Sequence, residues 1–167
     1  KSFTTRGDQT QKSGEPLPQI GGKGLFTAEL EAALQNESID IAVHSLKDLP
    51  TELESQFVLG AICERQWAND VLITRGRVPL EELPQYAVIG TSSLRRAAQM
   101  KALLPHAVTR SIRGNVRTRI AKLDDPSGSF DAVIMAEAGL RRLGLEADIS
   151  HPFSDDQMLP APGQGAL

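Results

Sequence analysis

The sequence predicts an α/β protein with two domains, and three observations support this prediction. Residues 70–143 alternate short apolar runs rich in β-branched residues with runs at helical spacing. That order is typical of a mostly parallel sheet with helices on its faces. The pattern is interrupted at residues 64–69, where we place a crossover between the two domains. Hydrophobic residues make up 40% and charged residues 23% of the chain, which is globular composition.

The start of the chain is predicted to run from a strand through a loop into a helix. The strand ends within the first five residues, and a polar stretch with one glycine and two prolines predicts a loop over residues 9–19. A glycine-rich turn around Lys23 then opens a helix over residues 25–35. The turn is not a P-loop, because Gly24 stands where that motif requires Ser or Thr. Its backbone N–H groups could still bind an anion.

The most informative stretch of the first domain is a strand predicted over residues 39–43, where β-branched residues alternate with smaller or polar ones. Ser45, Lys47 and Asp48 follow this strand directly. Catalytic groups in open α/β folds lie at the carboxyl ends of strands, so these three are candidate site residues. From spacing alone, a solvated polar turn is the commoner outcome. A second buried strand is predicted over residues 58–63.

The second domain is predicted to alternate strands and helices. The predicted strands cover residues 70–74, 87–89, 108–112 and 130–135, and the predicted helices cover residues 79–83, 94–104, 115–123 and 137–143. Gly144 is expected to cap the last helix. An acidic, proline-containing stretch should then return the chain to the first domain, with Gln164 at the mouth of a cleft. The predicted domains are therefore residues 1–63 and 64–159, followed by a return segment, 160–167.

Positive charge is concentrated in the second domain. The whole chain has a net charge of −3, yet residues 85–123 contain eight Lys and Arg residues and no Asp or Glu. Arginine is suited to bidentate recognition of carboxylates and phosphates, so this block predicts a site for a small polycarboxylate. A basic solvated face is the alternative. Nucleic-acid binding is disfavoured, because Tyr86 is the only aromatic residue in the block.

Hydroxyl groups at residues 91–93 open the helix that carries Arg95 and Arg96. They can be ordinary helix caps, or they can line a pocket for a carboxylate. The single cysteine, Cys63, excludes an internal disulfide. The three histidines lack metal-ligand spacing, so no metal is expected, and no apolar run reaches the ~20 residues of a membrane helix.

Six motifs, in the same order, resemble those of the porphobilinogen deaminase (hydroxymethylbilane synthase) family. They are Gly-Gly-Lys-Gly-Leu-Phe at 21–26, Ile-Asp-Ile-Ala-Val-His-Ser-Leu-Lys-Asp-Leu-Pro at 39–50, Gly-Thr-Ser-Ser-Leu-Arg-Arg at 90–96, Arg-Gly-Asn-Val at 113–116, Ala-Gly-Leu-Arg-Arg-Leu-Gly at 138–144 and Pro-Gly-Gln-Gly-Ala at 162–166. Each motif alone is weak, but together they span nearly the whole chain. The chain departs from the family at residues 66–69, where an acidic, proline-containing crossover is usual.

The resemblance implies two domains of the type II periplasmic-binding-protein kind around a cleft. It implies that the first domain is incomplete, without its opening strand, and that the C-terminal third domain is absent. The implied activity is a transferase of haem and tetrapyrrole biosynthesis, which joins porphobilinogen units with loss of ammonia into the linear tetrapyrrole hydroxymethylbilane. The implied cofactor is a covalent dipyrromethane primer, whose attachment cysteine lies outside this chain. These 167 residues alone are therefore expected to be inactive.

The resemblance also implies a role for individual residues. Asp48 matches the catalytic aspartate, which would stabilise the cationic azafulvene formed when ammonia leaves. Gln164 matches a residue at the substrate end of the cleft. The positions matching residues that hold the acetates and propionates of primer and substrate are Lys23, Ser45, Lys47, Thr91, Ser92, Ser93, Arg95, Arg96, Arg113, Asn115, Arg119 and Arg142. Each of them could instead be structural.

The expected partner is porphobilinogen, with no nucleic acid and no membrane. The protein is expected to be a cytoplasmic monomer, or plastidial if it comes from a plant or alga. The alternative function is a non-catalytic module of the periplasmic-binding-protein type that binds a small carboxylate. In that case residues 91–93 would hold the ligand without any chemistry.

Overall fold

The computed structural model describes residues 1–3, 5 and 27–167. The loop predicted over residues 9–19 and the glycine-rich turn with Lys23 therefore lie outside the described residues. In the described part, the helices are α1 (Ala28–Gln35), α2 (Leu94–Leu103), α3 (Val116–Asp124) and α4 (Glu137–Arg141). The strands are β1 (Asp70–Thr74), β2 (Val88–Gly90), β3 (Val108–Arg110), β4 (Ala132–Ala136) and β5 (His151–Pro152).

Single turns of 3₁₀-helix complete the described elements, at Leu46–Asp48, Arg75–Arg77, Leu80–Glu82 and Glu146–Asp148. From residue 70 onwards the predicted strands and the helices predicted over residues 94–104, 115–123 and 137–143 are confirmed, with ends shifted by a few residues. The helix predicted over residues 79–83 is a single 3₁₀ turn. Gly144 caps α4 as predicted: its φ is 66°, its N–H donates to Arg141, and the N–H of Leu145 donates to Leu140. Within the described residues, no helix is both long and apolar enough to cross a bilayer.

The five strands form one open sheet in the order β3-β2-β4-β1-β5. Strand β2 is parallel to β3 and β4, whereas β1 is antiparallel to β4 and β5. The prediction of a mostly parallel sheet is therefore wrong for β1 and β5. Parallel neighbours need a long crossover connection. Helices α2 and α3 provide such connections between β2, β3 and β4, but β1 is followed only by two 3₁₀ turns.

The core lies on both faces of the sheet, as the prediction of helices on its faces requires. All five residues of β1 are buried, and alternate residues point to opposite faces. On one face, Leu72 and Ile134 pack in the same cluster as Met100 of α2. The other face includes Leu123 of α3 and Leu140 of α4. This two-sided burial explains why the strands appear in the sequence as continuous apolar runs.

The strands predicted in the first region are not formed. Residues 39–43 and 58–63 have no strand assignment, and neither do the described residues at the start of the chain. Ile41 is 77%, Val43 66% and Val58 86% exposed, and Cys63 is exposed instead of ending a buried strand. A strand needs a neighbour to pair with its backbone groups. No described segment is paired with these residues as a strand, so β-branched composition alone was insufficient.

The last residues of the chain lie between the Leu46–Asp48 turn and the crossover at residues 64–69. The N–H groups of Leu46, Cys63 and Gln66 donate to the carbonyls of Ala166, Leu167 and Gly165 at 3.0, 2.9 and 3.1 Å. A Cβ added to Gly165 (φ 95°) would lie only 2.0 Å from the carbonyl oxygen of Gln66. Glycine is therefore required for this close approach.

Candidate functional site

The candidate site lies where the order of the strands reverses. Strand β2 is flanked by β3 on one side and β4 on the other, so the chain crosses over β2 between them. In open α/β sheets, ligands bind at the carboxyl ends of strands next to such a reversal. Residues 91–93 follow β2 here, and residues 111–115 follow β3. Asp70 reaches the same edge, because β1 is antiparallel and pairs Asp70 with Ala136 at the end of β4.

The predicted hydroxyl residues after β2 make local hydrogen bonds. The Oγ of Ser93 accepts from the N–H of Arg96 at 3.4 Å and so caps α2. The Oγ1 of Thr91 accepts from the N–H of Ser93 at 3.2 Å, and the Oγ of Ser92 donates to the carbonyl of Ile112 at 2.7 Å. These hydroxyls therefore shape the loop that opens α2.

Asn115 has the same capping role at the next helix. Its Oδ1 accepts from the N–H of Thr118 at 2.9 Å, which caps the start of α3. Both loops at this edge are thus held by side-chain caps on the helices that follow them.

A buried carboxylate that the sequence analysis did not assign, Asp70, lies at the centre of the site. Its side chain is fully buried. Oδ1 accepts from Nη2 and Nε of Arg96 at 2.6 and 3.0 Å, and Oδ2 accepts from Nη2 of Arg95 at 2.6 Å. Burial alone would raise the pKa of Asp70, but Arg96, with further hydrogen bonds from Gln164 and Arg95, holds it below its usual value. Asp70 is therefore an anion at neutral pH.

The two arginines predicted to hold ligand carboxylates are thus bound to a carboxylate of the chain itself. Arg95 also donates to the carbonyl of Leu159, and Arg96 to that of Ile134 at 3.3 Å. Arg96 is buried, whereas Arg95 keeps about a quarter of its side chain exposed, at 25%. Of the pair, Arg95 is therefore the one with side-chain atoms that a ligand from solvent can reach.

Gln164 is almost completely buried, and both polar atoms of its side-chain amide make hydrogen bonds within the chain. Its Nε2 donates to Oδ1 of Asp70 at 2.9 Å and to the carbonyl of Ala68 at 2.6 Å. Its Oε1 accepts from Nζ of Lys47 at 3.2 Å. Gln164 thus connects the centre of the site to the Leu46–Asp48 turn. Its predicted contact with substrate stays a prediction.

Two further arginines add positive charge beside this centre. Arg113 is buried, and Nε of the partly buried Arg119 donates to the carbonyl of Gly114 at 2.7 Å. Burial, and then repulsion from Arg96 and Arg113, lowers the pKa of Arg119 to about 10. Such mutual repulsion would be relieved by an anion bound between them.

Lys47 and Asp48 belong to the Leu46–Asp48 turn, and Lys47 is close enough to Arg95 and Arg96 to be affected by their charge. Burial and the charge of Arg96 lower the pKa of Lys47, whereas Asp48 and Asp70 oppose that change. Asp48 is exposed, and within the described residues its carboxylate makes no hydrogen bond or ion pair. It is therefore available to a ligand next to a positively charged wall.

The structure thus brings together six of the predicted site residues, and we call this group the cationic pocket. Its members are Lys47, Arg95, Arg96, Arg113, Arg119 and Gln164. Ser45 precedes Lys47 in the turn and accepts the N–H of Asp48 through its carbonyl. Arg142 lies further out, where Nη2 donates to the carbonyl of Gly165 at 2.9 Å. Asp70 was missed, although an acidic residue opening a strand buried on both faces was a signal for it.

Comparisons with known proteins identify the family of the chain. The family model described as "Porphobilinogen deaminase, dipyromethane cofactor binding domain" matches residues 1–167. The porphobilinogen deaminase of Chromobacterium violaceum is 51% identical over 165 residues, which are 99% of this chain and 52% of that protein. Those of Nitratiruptor sp. and Desulforudis audaxviator are 50% and 51% identical over 169 and 167 residues, or 53% of each protein.

The chain therefore spans about half the length of the curated relatives it matches. None of these matches supports the alternative of a non-catalytic carboxylate-binding module.

Proposed function

Because this chain belongs to the porphobilinogen deaminase family, we propose that the complete protein carrying it joins porphobilinogen units into hydroxymethylbilane. The reaction is a transferase step of tetrapyrrole biosynthesis, in which ammonia is released as each new carbon–carbon bond forms. The observation that carries this proposal is the excess of positive charge in the cationic pocket. Within the described residues, Lys47, Arg95, Arg96 and Arg119 lie around the buried Asp70, and the exposed Asp48 follows Lys47 directly in the chain.

The excess charge suits the substrate class. Each porphobilinogen unit bears an acetate and a propionate, and within the described residues Asp70 pairs with Arg95 and Arg96. Arg119 and Lys47 lack a direct carboxylate partner within the described residues. Guanidinium groups bind carboxylates through paired, charge-assisted hydrogen bonds. These residues would therefore bind and orient the acidic side chains of the pyrroles.

Asp48 is the proposed catalytic residue. Its carboxylate projects from a short turn, is exposed, and makes no ion pair in the described part of the chain. A carboxylate placed beside pyrrole nitrogens stabilises positive charge that develops when ammonia leaves. It can also accept and return a proton at the carbon where the new bond forms. Lys47 next to it would hold a ligand carboxylate and so orient the reacting unit.

The dipyrromethane cofactor of the family fits these residues. Its four carboxylates need several cations, and the cationic pocket holds more positive charge than Asp70 balances. Lys47, Arg113 and Arg119 are the residues that would hold it, together with the exposed edge of Arg95. When bound, the group supplies the primer to which new units are joined.

We extend the proposal to the architecture. The first domain would comprise residues 1–63, the second 64–159, with residues 160–167 returning to the first. Two type II periplasmic-binding-protein domains would then face each other across a cleft. The sheet order with one inserted antiparallel strand, and the hydrogen bonds of Ala166 and Leu167 to residues of the first domain, support this division. We also expect a cytoplasmic monomer, to be checked by native mass measurement.

The proposal is tested with the complete natural protein that carries this sequence. Incubated with porphobilinogen, it should consume the substrate, release ammonia and form a linear tetrapyrrole. The intact protein should be heavier than its translated mass by one dipyrromethane. Reversible carboxylate binding without consumption of porphobilinogen would overturn the proposal in favour of a binding module. An unmodified mass in active protein would contradict the cofactor assignment.

A further inference from the structure

Three segments that are distant in sequence meet at Asp70. The first is the start of α2, which carries Arg95 and Arg96. The second is the return segment, through Gln164. The third is the Leu46–Asp48 turn, which reaches Asp70 through the hydrogen bond between Lys47 and Gln164. The pocket is therefore assembled around a group that is too deeply buried to touch a ligand itself.

The chemistry of a carboxylate determines which way the amide of Gln164 faces. An ionised carboxylate only accepts hydrogen bonds, so it must face the Nε2 of Gln164. The second N–H of that nitrogen is directed at the carbonyl of Ala68, which also only accepts. The Oε1 atom is then left facing Lys47, where it accepts from the ammonium group. Asp70 thus determines that the Oε1 atom of Gln164 faces Lys47, although Asp70 itself makes no hydrogen bond to Lys47.

We propose that Asp70 is a positioning residue, which orients Lys47 through Gln164 and holds Arg95 and Arg96 directly, so that the cationic pocket keeps one geometry beside Asp48. The effect on turnover rests on the proposed function, but the orientation of Lys47 does not. Without this relay, Asp70 would still act on Lys47 through its charge alone. Gln164→Leu therefore identifies the relay, because it keeps the charge of Asp70 and removes the amide that connects the two residues.

The first test measures Lys47 without any substrate. The acylation rate of Lys47 by acetic anhydride, followed by mass spectrometry across pH, gives the pKa of its amine. The charges near that amine are Arg96, Arg95, Asp48 and Asp70. Asp70→Asn removes a group that favours the ammonium form, and Gln164→Leu removes its acceptor. Both variants should move the titration midpoint of Lys47 to lower pH.

A matched control separates this effect from the general loss of an ion pair. Asp124 forms a bidentate pair with Arg77 at 2.6 and 2.9 Å, away from the cationic pocket. Asp124→Asn should leave the titration of Lys47 unchanged. If Asp70→Asn does not fold, Gln164→Leu still tests the relay, because it leaves both ion pairs of Asp70 in place. An unchanged Lys47 titration in a folded Asp70→Asn or Gln164→Leu protein overturns the proposal.

The second test uses turnover of porphobilinogen by the complete protein. A misplacement of about 1 Å in a catalytic arrangement can lower the rate ~100-fold. We expect kcat/KM to fall by at least ~10-fold in folded Asp70→Asn, with kcat affected as well as KM. Unchanged kcat/KM in that variant would overturn the positioning role. If the wild-type protein shows no turnover but the Lys47 titration shifts, the proposed function fails and the positioning role stands.

Discussion

Arg96 and Asp70 form an ion pair of 2.6 Å between Nη2 and Oδ1, at a depth where only 8% and 0% of the two side chains remain exposed. Arg96 comes from the first turn of α2, and Asp70 opens β1. The pair therefore links α2, which follows the parallel strand β2, to β1, which is antiparallel to its neighbour β4. The helix and the strand that border the cationic pocket cannot shift relative to each other without breaking it.

Removal of Arg96 should destabilise the fold strongly. Arg96→Met leaves Asp70 buried with only Arg95 and Gln164 as partners, and breaking a buried ion pair typically costs about 3–5 kcal/mol. The free energy of unfolding, measured by chemical denaturation, should fall by about 3–5 kcal/mol. Arg117→Met is the matched control, because Arg117 is exposed and has no hydrogen bond or ion pair within the described residues. Equal losses in the two variants would contradict the structural account of the pair.

Asp48 should be needed for activity and dispensable for folding. The complete protein with Asp48→Asn should lose activity on porphobilinogen by roughly 10²–10³-fold, as other preorganised electrostatic sites do when one group is removed. Its melting temperature should not change, because the carboxylate is exposed and makes no ion pair in the described part of the chain. Calorimetry checks the second expectation. Retention of more than half the activity would exclude Asp48 as the catalytic residue.

Gly165 should tolerate no side chain. Gly165→Ala places a Cβ 2.0 Å from the carbonyl oxygen of Gln66, in a residue with a φ of 95°. The backbone strain alone costs on the order of 1–2 kcal/mol, and the clash adds to it. We expect the return segment to detach, which faster proteolysis of the last residues would reveal. Gly60→Ala is the control, because a Cβ there has no neighbour within 4 Å. Equal protease resistance of both variants would refute the close approach.

The stability of the protein should fall at acid pH in a way that depends on Asp70. The pKa of an aspartate in an unfolded chain is about 3.9, and that of Asp70 is lower in the folded state. The ionised form therefore contributes stability above about pH 4. That contribution disappears as the pH falls through the folded-state pKa of Asp70.

Melting temperatures across pH check this expectation. In Asp70→Asn the decline below pH 4 should be shallower than in the wild type, because the titrating group is gone. A parallel decline in both proteins would show that other carboxylates dominate acid unfolding. Asp124 also has a lowered pKa, caused mainly by its hydrogen bond from Arg77. Asp124→Asn therefore measures how much a more exposed ion pair contributes to the loss of stability at acid pH.

Local sequence features predicted most of the helices and strands from residue 70 onwards. The apolar runs of β1 and β4 are continuous because both faces of these strands are covered. Ser93 and Asn115 mark helix starts through hydrogen bonds that span three residues. Such contacts depend on neighbours in sequence, so a pattern read along the chain can find them.

The remaining features depend on contacts between distant residues. Asp70 meets Arg95, Arg96 and Gln164, which are 25, 26 and 94 residues away. No local pattern carries that information. The strands predicted over residues 39–43 and 58–63 failed for a related reason, because a strand exists only when another segment pairs with it. The arginine block pointed to the pocket, whereas the partner that holds two of its arginines lay outside the block.

The link between Arg65 and Gln164 has a consequence for engineering. Nε of Arg65 donates to the carbonyl of Gln164 at 2.9 Å, so the chain leaves and re-enters at nearly the same point. The two ends of the segment 65–164 therefore adjoin, and a segment with adjoining ends is one that can tolerate excision, transplantation into a host loop or circular permutation. Expressed alone, residues 64–164 should fold as an autonomous unit, with well-dispersed amide resonances in solution.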